Sequence, residues 1–376
     1  MKKFILVPDS FKGTLSSTEI CGMMQAEIAT VFPDAKICAI PVADGGEGSV
    51  DAFLAAVGGE KKWVTVKGPY GEDMEAFYGK LSNELAVVEM AAAAGLPLVG
   101  ENRHAEKTTT YGVGQLIEAA VKDGAKRIIV GLGGSATNDG GAGCAAALGV
   151  RFFNEQDKSF VPVGDTLKDI AKIDVSGRAP CLEGVTFVTM CDIDNPLCGE
   201  NGAAAVFGPQ KGADITTVRL LDEGLSHFAA ILKRDIGADI LNLPGAGAAG
   251  GMGGGMVGLL GSKLQMGIDT VLDTVGFDEL LQEADLVLTG EGRIDGQSLR
   301  GKVVVGVAKR CQKQNVPVVA VVGDIADGAE AAYNAGVTAI FSINRRPMPF
   351  SESKFLSHDN MQLTMRNLMR LISKIK

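Results

Sequence analysis

The chain has no CxxC pair, and its seven cysteines (21, 38, 144, 181, 191, 198 and 311) form an odd set. Neither a disulfide framework nor a thiolate zinc site is supported, which favours a reducing compartment. Histidine is scarce: His104, His227 and His358 are scattered and make no metal-ligand spacing. No Gly-x-Ser-x-Gly elbow occurs, so hydrolase triads and zinc chemistry have no footing. Aromatics make up only 5% of residues. Positive charge is also short, with 36 Lys+Arg against 45 Asp+Glu and a net charge of -9. That is the wrong sign for a chain whose main partner is nucleic acid. Ile240 to Ser262 carries no charge and matches a membrane span in length, but Pro244 and nine glycines within it disfavour a spanning helix. It reads as a glycine-rich loop. The start, Met1-Lys2-Lys3-Phe4-Ile5-Leu6-Val7-Pro8-Asp9, holds an apolar run too short for a signal peptide. A soluble, cytoplasmic protein with neither membrane nor nucleic-acid partner is expected, and the residues assign no oligomeric state.

Glycine is abundant, 50 of 376 residues, and it is clustered rather than periodic. Clusters of this kind mark tight turns and close backbone approach. With 46% hydrophobic residues there is material for sizeable cores, and the length sets a prior of about two domains. Short β-branched runs at Phe4–Val7, Lys36–Ile40, Arg127–Val130, Val185–Met190, Leu286–Thr289, Val316–Val322 and Ala339–Ile343 alternate with helical patterns such as Ser17–Val31, Val113–Lys122 and Val303–Gln314. Such alternation predicts an α/β fold with largely parallel sheets. Trp63–Met90 instead reads as consecutive, hairpin-forming strands. No polar linker divides the chain, so one domain is expected to be inserted in the other: 1–64 plus 281–376 discontinuous, 65–280 the insert. Met361, Met365, Leu368, Ile372 and Ile375 form a helical stripe that predicts a docking helix at the C-terminus.

The chemistry-bearing clusters follow predicted strands, where an open α/β sheet places its ligands. In Pro8-Asp9-Ser10-Phe11-Lys12-Gly13, a carboxylate, a hydroxyl and an ammonium suit phosphate and metal, or form a solvated loop. Asp44 and Glu47 on the turn Ala43-Asp44-Gly45-Gly46-Glu47-Gly48 suit Mg²⁺, which takes few carboxylates and keeps its waters. Thr108-Thr109-Thr110-Tyr111-Gly112 opens a helix, with Thr110 a ready N-cap and Arg103 and Lys107 nearby. Gly131-Leu132-Gly133-Gly134-Ser135-Ala136-Thr137-Asn138-Asp139-Gly140-Gly141 offers hydroxyls and amides for phosphate and Asp139 for a metal. Its GxGxxA spacing, with Glu155 downstream, also admits a dinucleotide fingerprint. Asp192 in Cys191-Asp192-Ile193-Asp194-Asn195-Pro196 ends a strand and suits a general base or a metal ligand, while Asn195 suits a substrate oxygen or, with Asp194, an Asx-turn. Gly290-Glu291-Gly292-Arg293 through Gly301-Lys302-Val303 resembles a P-loop only at its tail, because Val303 replaces the hydroxyl. Arg293 and Lys302 remain candidate contacts for negative groups.

Taken in order, PDSFKG, PVADGGEG, VEMAAAAGL, TTTYGVG, GLGGSATNDGGAG, CDIDNPL, FGPQKGA, PGAGAAGGMGGG and ADLVLTGEGRIDGQSLRGK resemble the bacterial glycerate kinase family of type I, from Pro8 to about Gly323. One departure is Arg103-His104-Ala105, where the family commonly reads Arg-Asn-Pro. The resemblance implies two α/β domains, flavodoxin-like and restriction-enzyme-like, with an active-site cleft between them. It also implies phosphorylation of glycerate by ATP with Mg²⁺, 2-phosphoglycerate being the expected product and 3-phosphoglycerate the other possibility. Chemical inference then assigns Asp192 and Lys12 to catalysis. Ser10, Arg103, Thr109, Thr110, Gly133, Gly134, Ser135, Thr137, Asn138, Asn195, Arg293 and Lys302 are assigned to substrate or phosphate, and Asp44, Glu47 and Asp139 to the metal. An NAD(P)-dependent oxidoreductase and a non-catalytic anion-binding protein are the competing readings.

Overall fold

The computed structural model describes residues 2–42, 46, 48–101, 103–296 and 302–375. Its contacts divide the chain into two compact units, Met1–Asp44 with Ala55–Val57 and Ile268–Lys376, and Gly45–Leu54 with Gly58–Gly267.

The first unit is built on a five-stranded sheet in the spatial order Ala339–Ser342, Val318–Val322, Leu286–Gly290, Lys3–Pro8, Lys36–Ala39. Every neighbouring pair is parallel, with Phe4 opposite both Leu286 and Ile37. Counted along the chain the order is 2-1-3-4-5, that of flavodoxin-like doubly wound sheets. Leu286–Gly290 and Val318–Val322 are buried along their whole length, which is why they read as unbroken apolar runs rather than alternating ones. Val318 rather than Val316 begins its strand, because Pro317 has no N–H for the ladder. On one face Phe4, Leu6, Leu288 and Val321 pack with Ile20, Met24 and Ile28 of the helix Ser17–Val31 and with Met361, Met365 and Leu368 of the helix Ser357–Ile372. The terminal stripe therefore docks as expected up to Ile372, while Ile375 lies past the helix end and is exposed. Ser17–Val31 begins where a capping box forms between Ser16 and Glu19.

The second unit carries a six-stranded sheet ordered Lys263–Gln265, Thr186–Met190, Arg127–Gly131, Leu85–Glu89, Asp73–Lys80, Glu60–Lys67. The first four strands are parallel, and the last two join antiparallel, with Trp63 opposite Phe77. The hairpin region expected across Trp63–Met90 is thus present. Both units confirm the mixed α/β class with parallel sheets. Among the described residues, no helix is long and apolar enough to cross a membrane.

The loop expected from Ile240 to Ser262 is corrected in its second half: Met252–Leu260 is a buried helix. Glycine weakens an isolated helix by about 1 kcal/mol per residue relative to alanine. Here it permits contact that a side chain would forbid. A Cβ on Gly255 would stand 2.0 Å from the carbonyl oxygen of Gly140. The helix therefore packs backbone to backbone against the turn that follows Asp139, and Gly140 N–H donates to Gly250 O at 3.0 Å.

Candidate active site

In the second unit, the carboxyl end of Arg127–Gly131 runs into the turn 133–141, and this turn is organised around one carboxylate. Asp139 is fully buried, and its Oδ2 accepts from Thr110 N (2.7 Å), Thr110 Oγ1 (2.8 Å) and Gly143 N (3.2 Å). Its Oδ1 accepts from Gly141 N at 3.0 Å. Burial raises its pKa, against the opposing effect of these donors. Both oxygens accept hydrogen bonds from the protein, and the residue ties the turn to the helix Tyr111–Lys122. Thr110 does hold the cap position of that helix, but its hydroxyl makes no capping bond. It donates to Asp139 and accepts from Cys144 N at 2.8 Å instead. Thr109 Oγ1 accepts from Tyr111 N at 3.1 Å.

The structure brings Thr109, Thr110, Ser135, Thr137, Asn138 and Asp139 into this one buried polar assembly. Gly134 is exposed and Gly133 half-buried, so the assembly meets solvent at the glycine end. Ser135 Oγ lies 3.2 Å from Thr137 Oγ1 and accepts from Thr137 N at 3.2 Å. Asn138 is 0% exposed, yet neither its amide nitrogen nor its oxygen has a hydrogen-bond partner. Buried side-chain amides are nearly always bonded, which sets Asn138 apart from the rest of the assembly.

Two buried charged residues went unassigned in the sequence, of which Lys211 belongs to the assembly. Lys211 is 2% exposed and donates from Nζ to Thr137 O (2.6 Å) and Ser135 Oγ (3.1 Å). Burial pulls its pKa down to about 7, with Asp139 acting in the opposite direction. The only signal was a lysine amid the glycines and apolar residues of FGPQKGA, and lysine is ordinarily a surface residue. Glu89, at the buried end of Leu85–Glu89, accepts from Gly48 N and Val50 N and so caps the helix Ser49–Val57. Burial is the main cause that raises its pKa.

Arg103 donates to Gly100 O (2.9 Å) and Gln210 O (2.8 Å), joining its turn to the segment that carries Lys211. Asp192 is exposed just past Thr186–Met190, and its Oδ1 accepts from Gly267 N at 2.7 Å. Asn195 is drawn into its own loop, donating to Asn201 O at 2.8 Å. The dinucleotide reading fails on geometry: a fingerprint turn opens directly into its helix. Here the buried run Ala136–Gly141 intervenes before the helix Ala142–Ala147, and Glu155 is exposed in a turn beyond it.

The first unit contributes a separate set at the carboxyl ends of Lys3–Pro8 and Leu286–Gly290, the switch point of a 2-1-3-4-5 sheet. Asp9 N donates to Gly290 O, and the Asp9 carboxylate accepts from Ser10 N at 2.7 Å. Lys12 is exposed on the following turn, whose Phe11 is buried. Arg293 lies 3.7 Å from Asp324 and 4.0 Å from Asp295. Lys302 occupies the cap position of the helix Val303–Lys313. Asp44 and Glu47 lie outside the described residues. Among the described residues, no cluster of three or more His, Cys, Asp or Glu has a metal-holding arrangement.

Comparison with known proteins places these features in a family context. The family model described as the glycerate kinase family matches residues 4–373. A glycerate kinase of Halalkalibacterium halodurans is 44% identical over 370 residues, covering 98% of this chain and 97% of the relative. A glycerate 2-kinase of Escherichia coli is 41% identical over 368 residues, 97% of each chain. A crystal structure assigned provisionally as glycerate kinase 2, from Salmonella typhimurium LT2, matches with a TM-score of 0.88 and 40% identity. The match covers 99% of this chain and 98% of that one.

Proposed function

Because the chain belongs to the glycerate kinase family, and is therefore a phosphotransferase, we propose that it transfers the γ-phosphoryl group of ATP to glycerate, forming 2-phosphoglycerate. The observation that carries this reading is the likeness to glycerate kinases along nearly the whole chain, with a buried polar turn at a strand end beside it. The name of the E. coli relative favours the 2-position.

Phosphoryl transfer asks a protein for positioning and charge rather than covalent chemistry. In this reading Ser10, Lys12, Arg293 and Lys302 contact phosphate oxygens as the transferring group develops charge. The turn at Gly133, Gly134, Ser135, Thr137 and Asn138, with Thr109 and Thr110 behind it, holds an anionic group. Arg103 keeps the neighbouring segment in register. Asp192, exposed at a strand end and oriented by the Gly267 N–H, takes the proton of the attacking hydroxyl. Asn195 shapes the loop that follows Asp192, since its amide is committed to Asn201 O. Mg²⁺ supplies charge neutralisation on the ATP phosphates, with Asp44 and Glu47 as its protein ligands by residue type. The seven cysteines, none in a disulfide, fit a reducing compartment, and a cytoplasmic location belongs to the same proposal.

The test is a phosphorus and carbon NMR spectrum of the product from ATP, Mg²⁺ and D-glycerate. A phosphate coupled to carbon 2 is expected. Coupling to carbon 3 would reassign the attacking hydroxyl, and no phosphorylated glycerate would overturn the reading.

A further inference from the structure

Among the described residues, Lys211 is the one buried cation, and its position is over-determined. Its ammonium donates to Thr137 O at 2.6 Å and to Ser135 Oγ at 3.1 Å. Its own backbone is held from outside: Arg103 donates to Gln210 O, and a Cβ on the adjacent Gly212 would lie 2.2 Å from Arg103 O. Between Thr137 and Asp139 sits Asn138, whose buried amide has no partner. A lysine held dry by two neutral oxygens needs a reason, since desolvating an ammonium is costly unless a counter-charge arrives. A surface-facing glycine end and an unsatisfied amide point to where that charge enters.

We infer that Lys211 is a positioning residue for an anionic oxygen group, carboxylate or phosphate, received by the turn 133–138: it fixes Ser135 and Thr137 and supplies the buried positive charge. The inference rests on the kinase reading above for its choice of probes but not for its physics. Among the described residues, Asp139 is electrostatically coupled to Lys211, and Arg103 donates to the carbonyl of the adjacent Gln210. Asp139 already accepts four hydrogen bonds from the protein. The change on binding is therefore read at Lys211.

An arriving anion favours the protonated lysine, so binding above pH 7 takes up a proton. A purely structural lysine would not couple to ligand in this way. Calorimetry in two buffers of different ionisation enthalpy, at about pH 8, counts that proton. Glycerate alone, Mg-ATP alone and inorganic phosphate are the three probes. Proton uptake is expected in the parent with at least one probe and should vanish in Lys211→Met. Affinity for that probe should fall about 30-fold or more in the variant. The probe that shows uptake identifies whether carboxylate or phosphate occupies the turn.

Should Lys211→Met fail to fold, carbon NMR of the parent with labelled lysine replaces it. One lysine should titrate near pH 7, and saturating anion should move its midpoint upward. Turnover of glycerate with no proton uptake and no movement of that midpoint would overturn the inference and leave the kinase reading standing. Proton uptake with phosphate in a protein that never phosphorylates glycerate would do the reverse.

Discussion

Thr110 and Asp139 are joined twice, the backbone N–H and the hydroxyl of the threonine both donating to the same carboxylate oxygen at 2.7 and 2.8 Å. The same hydroxyl accepts from Cys144 N, so three chain segments share a single oxygen atom of a side chain. Thr110→Val keeps the shape and removes that atom. It leaves one buried donor and one buried acceptor short of a partner, at a cost of about 1–3 kcal/mol. Urea denaturation should show the lower midpoint with unchanged slope, and an unaltered midpoint would mean that the loop does not depend on this bridge.

Glu89 offers a pH test. Burial raises its pKa above the ordinary 4.5, so the folded state retains the proton to higher pH than the unfolded chain. A raised pKa contributes stability that is full below about 4.5 and declines as pH rises through the folded value. Glu89→Gln copies the neutral form. The stability of the parent relative to Glu89→Gln should therefore decrease as pH is raised from about 4.5, measured by thermal unfolding at a series of pH values. A difference that does not change with pH would count against a raised pKa.

Lys12 is exposed, and its turn is closed by backbone hydrogen bonds between Phe11 and Leu15. Lys12→Ala should reduce turnover about 100-fold or more, the scale of losing a charge that meets developing negative charge. Its melting temperature should stay with the parent. Activity within a few-fold of the parent would assign Lys12 to solvent alone.

Asp192→Asn preserves an oxygen acceptor for the Gly267 N–H while removing the basicity. Loss of kcat by about 10²–10⁴-fold is expected, with Mg-ATP and glycerate affinities intact by calorimetry. Lost Mg-ATP affinity would make Asp192 a metal ligand, and near-normal kcat would take it out of the chemistry.

Much of the architecture was legible because its signals are local. The apolar runs at Leu286–Thr289 and Val316–Val322 read as strands, and the helical pattern at Ser17–Val31 matches the first helix, because periodicity and apolar runs act over a few residues. The polar turn at 133–139 was legible as a ligand candidate from residue type alone. Its internal division of labour was not. The sequence assigns Asp139 to a metal by residue type, and nothing local reveals the four donors that converge on it from residues 110, 141 and 143.

What the sequence by itself determined is the set of elements and the loops that carry the chemistry, since periodicity, caps and turn residues act over a few positions. Three matters belonged to the tertiary structure. The register that sets Phe4 opposite both Leu286 and Ile37 is the first, since the sequence foresaw only that the N-terminal strand joins the C-terminal units. The glycine run at 252–258 is a helix because a neighbouring backbone rewards the absence of side chains, and in isolation it would not be one. Lys211 is the third: its burial, its neutral partners and its depressed pKa come from Ser135, Thr137 and the packing around them. The physical reason is common to all three. Hydrogen-bond satisfaction and desolvation depend on which distant atoms arrive within about 3 Å, and only the folded chain decides that.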